Sequence, residues 1–220
     1  MKTCLLLPAY NESKTIGAII QESSEFISEI VVIDDGSSDE TGEIAITSGA
    51  VCLSNITNCG KGSALRKGFA YALAHGYELI FTMDSDRQHE PADIPRFLEH
   101  FHNTRPDILI GVRTKRDSRV LMPFHRRVNN RLISYVGSKL CGQQVPDFQS
   151  GYRLIRADVL RQVHLETERY ETESELLIKA GRLGFRIESL PIQTRYGDEV
   201  SHIKPLREIW LFTKLLLRSL

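Results

Sequence analysis

Apolar residues along this chain fall into short unbroken runs rather than a polar–apolar alternation. Runs at Cys4 to Pro8, Ile30 to Ile33, Val51 to Leu53, Leu79 to Met83 and Ile108 to Val112 have the length of strands, and Phe185 to Ile192, with polar residues interspersed, reads as the last strand. Continuous apolarity predicts strands buried on both faces. Between the runs, apolar residues recur at helical spacing. Ile16, Ile19, Ile20 and Phe26 mark a first helix, and Leu65, Phe69, Ala72 and Leu73 mark another that Gly76 closes. Asn11 or Ser13 is expected to cap the first helix, and Ser38 or Asp39 to cap a second reaching about Ser48. Pro91 suits the first turn of a further helix. Another helix is expected from about Pro123 to Leu140, and one from Glu171 to Leu183 with Leu176, Leu177 and Ala180 inward. Asp147 to Arg153 reads as a turn entering a strand, with Leu154, Ile155, Val159 and Leu160 in the core.

Strand and helix thus alternate four times from the N-terminus. That order predicts an α/β fold: a doubly wound, mostly parallel sheet built from right-handed βαβ units, with helices on both faces. Ligands of such sheets sit beyond the carboxyl ends of the strands, where strand order reverses. The polar loops Tyr10-Asn11-Glu12, Asp34-Asp35-Gly36-Ser37 and Asp84-Ser85-Asp86 all fall at those ends.

The last of these loops ends the apolar run Leu79 to Met83 with Asp84 and Asp86, and Gln88 follows two residues on. If the segment is extended, these three side chains point to one side, and Ser85 and Arg87 to the other. Three oxygen donors suit a hard dication, Mg²⁺ or Mn²⁺, with room left for phosphate oxygens. An ordinary Asp-rich turn is the plain alternative. Its place beside the other two loops favours a site.

Length and charge change this picture little. The 220 residues suit one domain, and 28 basic residues balance 28 acidic ones. The distribution is uneven. Thr15 to Gly60 holds no Lys or Arg, whereas Arg113, Lys115, Arg116, Arg119, Arg126, Arg127 and Arg131 face only Asp117. That basic segment is either a phosphate- or membrane-attracting surface or a solvated helix face. Cys4, Cys52, Cys59 and Cys141 lack metal-ligand spacing and read as free thiols of a reducing cytoplasm. Met1-Lys2-Thr3 passes straight into a strand, so no signal peptide is expected, and no stretch approaches the roughly 20 apolar residues of a membrane span.

Five motifs in this order resemble those of family-2 glycosyltransferases of the GT-A (Rossmann-like) fold: Pro8-Ala9-Tyr10-Asn11-Glu12, Asp34 to Asp39, Gly60-Lys61-Gly62, Met83 to His89 and Ser150-Gly151-Tyr152-Arg153. More narrowly they resemble the branch related to polyprenol (dolichol) phosphate mannosyltransferases. The resemblance implies one catalytic domain over residues 1–204, followed by an amphipathic helix over 205–220. It implies transfer of a sugar, with inversion, from a GDP- or UDP-sugar to an acceptor, polyprenyl or dolichyl phosphate being favoured.

What the resemblance implies residue by residue follows. Pro8, Tyr10, Glu12, Asp34 and Asp35 would hold base and ribose, with Ser85 and Lys61 also counted as donor-binding. Asp84, Asp86 and the branch's additional Gln88 would hold Mg²⁺ or Mn²⁺ on the diphosphate. A lipid phosphate is already an oxyanion, so it needs cations rather than a base, and Arg113, Arg127, Arg126 and Arg131 are the candidates. A hydroxyl acceptor would need a base, for which Asp147, Glu173 and Glu175 stand. Each candidate also has a structural role open to it: helix or turn capping for Asp34, Asp35 and Asp147, helix-dipole acids for Glu173 and Glu175, an exposed helix-start lysine for Lys61.

Two features depart from relatives. Many members of the branch carry membrane-spanning helices after the catalytic domain, whereas Ile209 to Arg218 is apolar with interspersed cations and too short to span. It fits the membrane interface, the protein's own core, or a second copy in a homodimer. The Q-x-x-R-W signature of processive synthases is missing, which argues against polysaccharide synthesis. Tyr196, Gly197, Ser201, His202 and Lys204 resemble the segment that closes over the donor in relatives. The expectation is therefore a cytoplasmic enzyme, peripheral at the inner face of the membrane, with no nucleic acid among its partners. A soluble or protein-bound hydroxyl acceptor is the first alternative. A sugar-phosphate nucleotidyltransferase and a non-catalytic sugar-nucleotide binder are alternatives from other classes.

Overall fold

The apolar runs supply β1 to β5 of one seven-stranded sheet, whose order is β3-β2-β1-β4-β6-β5-β7. These strands are β1 (Thr3–Ala9), β2 (Ile30–Asp34), β3 (Val51–Ser54), β4 (Leu79–Thr82), β5 (Ile108–Arg113), β6 (Arg153–Arg156) and β7 (Ile187–Ile192). Between them lie α1 (Ile16–Ser24), α2 (Thr41–Thr47), α3 (Lys61–Ala74), α4 (Ile94–Thr104, entered through a 3₁₀ turn at Pro91–Asp93), α5 (Phe124–Cys141), α6 (Ala157–Gln162) and α7 (Glu171–Arg182). The computed structural model describes residues 1–113 and 124–193, the side chains of 124–129 excepted. The expected loop from Thr114 to Arg119, the side chains of Arg126 and Arg127, the segment with Tyr196, Gly197, Ser201, His202 and Lys204, and the helix over 205–220 lie outside the described residues.

Alternation within each strand divides the core into two layers. Cys4 and Leu6 of β1, Val31 and Ile33 of β2 and Ile80 of β4 pack with Leu65 and Phe69 of α3 and Leu176 and Leu177 of α7. Leu5, Leu7, Val32 and Phe81 face the other way, against Ile16, Ile19 and Ile20 of α1 and Phe97 and Phe101 of α4. Phe97 is fully buried, 5.7 Å from the Phe81 ring and stacked at 4.7 Å on Tyr152. Burying such a ring contributes about 1.5–3 kcal/mol, and here it also fixes the residues that lead into β6.

The chain winds outward from β1 to β3 and then crosses back to β4 on the far side of β1. Strand order therefore reverses between β1 and β4, the position at which a doubly wound sheet opens a crevice. β6 runs antiparallel between β4 and β5, while β5 and β7 are parallel. The reversed sense has a consequence for function. The turn before β6 lies at the edge where β4 and β5 end, with Thr82 Oγ1 donating to Gly151 O at 2.8 Å.

Three local expectations are corrected. Neither Asn11 nor Ser13 caps α1: Asn11 is left-handed (φ 57°) and its Oδ1 accepts from Ser38 N, while Ser13 N donates to Asp39 Oδ2. Thr15 stands at that helix start without a side-chain cap. Phe26 lies beyond the end of α1 and is exposed. Glu40, not Ser38 or Asp39, stands at the start of α2 and makes no side-chain cap, while Asp39 Oδ1 accepts from Thr41 N at 3.1 Å. No helix among the described residues is long and apolar enough to cross a membrane.

Candidate active site

The loops after β1 and β4 are stitched together at the reversal point. Ser85 Oγ donates to Pro8 O at 3.0 Å, and Thr15 Oγ1 donates to Ser85 O at 2.7 Å. Tyr10 is exposed beside them. Glu12 Oε2 accepts from Thr15 Oγ1 at 3.0 Å, and Glu12 N donates to Thr41 Oγ1 at 2.8 Å. At the end of β2, buried Asp34 accepts from Ser37 N at 3.0 Å. Asp35 is turned inward. Its Oδ1 accepts from Asn55 Nδ2 and Cys59 N, and its Oδ2 from Gly60 N at 2.7 Å. Asp35 thus shapes the loop that delivers Lys61.

The segment from Asp84 to Gln88 is a turn, not the extended stretch the i, i+2 spacing suggested. β4 stops at Thr82, Arg87 has φ 58°, and Asp86 Oδ1 accepts from Gln88 N at 3.0 Å. The turn, rather than strand alternation, holds Asp86 and Gln88 together. Arg87 leaves the site and pairs with Glu22 of α1. Asp84 lies against Gly151, which has no Cβ; one placed there would come within 2.4 Å of Asp84 Oδ1.

Lys61, the first residue of α3, is no exposed lysine. Its Nζ lies 2.5 Å from Asp84 Oδ1 and 3.1 Å from Glu173 Oε1, with its side chain 16% exposed. Burial works to lower the Lys61 pKa, but the charges of Asp84 and Glu173 outweigh it and hold the ammonium firmly protonated. Burial likewise works to raise Asp84, and Lys61 followed by His89 drive its carboxyl well below the usual range. Asp86 moves the opposite way: burial, then the Asp84 charge, raise its carboxyl.

Across the turn, Asp147 is buried and gripped by the end of β5. Arg113 Nε donates to Oδ2 at 2.7 Å and Arg113 Nη2 to Oδ1 at 2.8 Å. Burial opposes ionisation of Asp147, and the guanidinium overcomes it, so the carboxyl sits below its ordinary value. Arg127 and Arg131 lie four residues apart on α5, hence on one side of it, and Arg131 is exposed. Glu175 faces elsewhere. It accepts from Glu166 N, Thr167 N and Thr167 Oγ1 and pairs with Lys179 at 2.6 Å.

Two residues that the sequence reading left without a role join these halves. Arg153, 1% exposed, donates to Ser150 O, Phe148 O and Glu173 O at 2.7–3.0 Å, tying the turn before β6 to the start of α7. His89, also buried, places Nε2 3.7 Å from Asp84 Oδ2, lies 5.3 Å from the Tyr152 ring and acts electrostatically on both Asp84 and Asp147. Both residues sit in the motif stretches, but only tertiary packing reveals what they touch.

Among the described residues no three His, Cys, Asp or Glu side chains form a group that alone could hold a metal ion. Asp84, Asp86 and Gln88 carry side-chain oxygens of the kind a hard dication takes when phosphate and water complete its shell. They offer oxygen only, and Asp84 and Asp86 share a largely buried turn, where burial and then the Asp84 charge raise the Asp86 carboxyl.

The sequence model described as glycosyl transferase family 2 matches residues 4–163. An undecaprenyl-phosphate mannosyltransferase of Micrococcus luteus is 31% identical over 210 residues, covering 87% of this chain and 83% of that protein. A UDP-N-acetylglucosamine–dolichyl-phosphate N-acetylglucosaminyltransferase of Methanococcus voltae is 30% identical over 215 residues, covering 88% and 86%. Among solved structures, glucosyl-3-phosphoglycerate synthase of Mycobacterium tuberculosis, in complex with Mn²⁺, UDP and glucosyl-3-phosphoglycerate, superposes with a TM-score of 0.74. It is 23% identical, covers 99% of this chain and 78% of its own, and shares the GT-A fold.

Proposed function

The chain belongs to glycosyl transferase family 2, and on that premise we propose that it moves a sugar, with inversion, from a nucleoside-diphosphate sugar to a polyprenyl or dolichyl phosphate. One observation carries the reading. The carboxylates of Asp84 and Asp86 stand at the sheet's reversal point, with the β1 and β2 loops on one side and the Arg113–Asp147 pair on the other. Donor and acceptor groups can therefore meet over the end of β4.

Pro8, Tyr10, Glu12 and Asp34 border the donor side, where acceptor-only carboxylates match the N–H and hydroxyl donors of base and ribose. Asp35 serves through its loop. Ser85 holds the carboxylate turn against β1. Asp84, Asp86 and Gln88 are the residues that would hold Mg²⁺ or Mn²⁺. Such an ion, when bound, offsets the charge that collects on the departing nucleoside diphosphate. Lys61 adds a cation on the same side.

On the acceptor side a phosphate monoester arrives already ionised, and arginine's planar fork suits its oxygens. Arg113 and Arg127 are assigned to it, with Arg131 nearby. A hydroxyl acceptor is less well served. Asp147 has both oxygens on Arg113, and Glu173 is paired with Lys61, so neither is presented as a ready base. Relatives named for undecaprenyl and dolichyl phosphate support the same choice. The reaction is placed at the cytoplasmic membrane surface, where both a nucleotide sugar and a lipid phosphate are within reach.

The test is incubation with labelled UDP- and GDP-sugars, Mn²⁺ and detergent-solubilised polyprenyl phosphate. A lipid-linked sugar is expected with one donor. Transfer only to a soluble glycan or protein would move the acceptor assignment to a hydroxyl. Pyrophosphate release from nucleoside triphosphate and sugar phosphate would replace the reading with nucleotidyl transfer.

A further inference from the structure

The side chain that neutralises Asp84 is Lys61, and its backbone has no freedom to withdraw. Gly62, the next residue, packs so closely on α7 that an added Cβ would fall 1.9 Å from Thr172 Oγ1 and 2.6 Å from Arg169 O. Ser63 N donates to Glu168 O at 2.9 Å. The start of α3 is thereby clamped, and only the Lys61 side chain can move. Within its reach stand two carboxylates, Asp84 at 2.5 Å and Glu173 at 3.1 Å. Glu173 is fixed in turn, since its own carbonyl accepts from Arg153 Nη1 at 2.7 Å. One ammonium is shared between a residue of the metal–diphosphate site and a residue outside it.

We infer that Lys61 is an exchangeable counter-ion: it occupies Asp84 in the free protein and swings to the donor's diphosphate while Glu173 retains it, so that the dication enters together with the nucleotide rather than before it. This rests on the reading of Asp84 and Asp86 as the metal–diphosphate site. A fixed ammonium beside one ligand oxygen repels a dication, and the remaining protein donors are too few to compensate. Diphosphate oxygens reverse both effects, because they attract the ammonium away from Asp84 and add ligands of their own. Glu173 is then a positioning residue, keeping Lys61 charged and tethered at either end of its movement.

Binding of Mn²⁺ to the whole chain, read from loss of the free-ion electron paramagnetic resonance signal, tests this without any turnover. Wild type is expected to bind Mn²⁺ alone at least tenfold more weakly than with UDP or GDP, after correction for the nucleotide's own chelation. Lys61→Met should bind Mn²⁺ alone at least tenfold more tightly than wild type and lose most of the nucleotide's enhancement. Glu173→Gln should shift the opposite way, weakening binding of Mn²⁺ alone as Lys61 settles wholly on Asp84. Tight binding of Mn²⁺ alone by wild type, or an unchanged affinity in Lys61→Met, overturns the exchange. No Mn²⁺ binding by either protein with any nucleotide would instead remove the metal–diphosphate site itself.

Discussion

Arg113 and Asp147 form a two-point pair, Nε to Oδ2 at 2.7 Å and Nη2 to Oδ1 at 2.8 Å, across the mouth between β5 and the turn before β6. The pair aims a guanidinium whose stem is fixed by the strand end and whose orientation is fixed by a buried carboxylate. Arg113→Lys keeps the charge but cannot span both oxygens. We expect it to raise the acceptor KM about tenfold or more, in line with about 1.5–3 kcal/mol for a charged hydrogen bond, and to leave the donor KM within about twofold. Steady-state kinetics with each substrate varied in turn checks this.

Arg127 belongs to α5, four residues before Arg131. Arg127→Ala is expected to raise the acceptor requirement more than the donor requirement, again by about tenfold. A change confined to donor affinity would detach α5 from the acceptor.

Asp86 carries the metal prediction. Burial and the neighbouring Asp84 charge raise its carboxyl, and an adjacent dication favours the ionised form. Excess chelator should stop turnover, Mn²⁺ should restore it, and Asp86→Ala should lower kcat by about 10²-fold or more. Full activity in chelator would show that transfer proceeds without the ion.

Much of this was open to inspection in the sequence, because β1, β2 and β4 are apolar on both faces and each ends in polar residues at the same edge. Other features were not. A four-residue strand such as β6, with only Leu154 and Ile155 apolar, carries no mark of its direction, so its antiparallel placement depends on the turn that Arg153 and Tyr152 hold. The spacing of Asp84, Asp86 and Gln88 suggested strand alternation, whereas an Asp86–Gln88 hydrogen bond makes a turn. Lys61 and Glu173 are far apart in the chain, and no local pattern announces that they meet.

Glu175 supplies a stability prediction with a definite sign. Burial would raise its carboxyl, but hydrogen bonds from Lys179 and Thr167 hold it below the ordinary value. A depressed folded-state pKa stabilises the protein above the unfolded value, and that contribution fades as pH falls through the folded one. Thermal midpoints should therefore be flat near neutrality and drop below about pH 4.5. Glu175→Gln should cost about 1–3 kcal/mol at pH 7 through the weakened contacts to residues 166–167 and Lys179. It should also make the acid drop shallower. An unchanged acid limb in the variant would assign the loss to other carboxylates, Asp84 and Asp147 first among them.

Gly151 offers the most local test of the site's geometry. Thr82 Oγ1 holds its carbonyl at 2.8 Å, so its backbone cannot retreat from β4. A methyl group there would sit 2.4 Å from Asp84 Oδ1 and 2.7 Å from both Cγ and Oδ2. The carboxylate must turn away, which separates it from Lys61 and spoils its alignment with Asp86. Gly151→Ala is thus expected to lower nucleotide-dependent Mn²⁺ affinity about tenfold or more, as misplacing a ligand's support does in metal sites generally. The cost to folding should stay near the about 1–3 kcal/mol of a single overpacked position. Mn²⁺ titration with UDP or GDP present, beside a thermal melt, separates the two effects. Metal affinity unchanged alongside a lowered midpoint would mean that Asp84 binds no ion from where it stands, and that the Gly151 contact is packing alone.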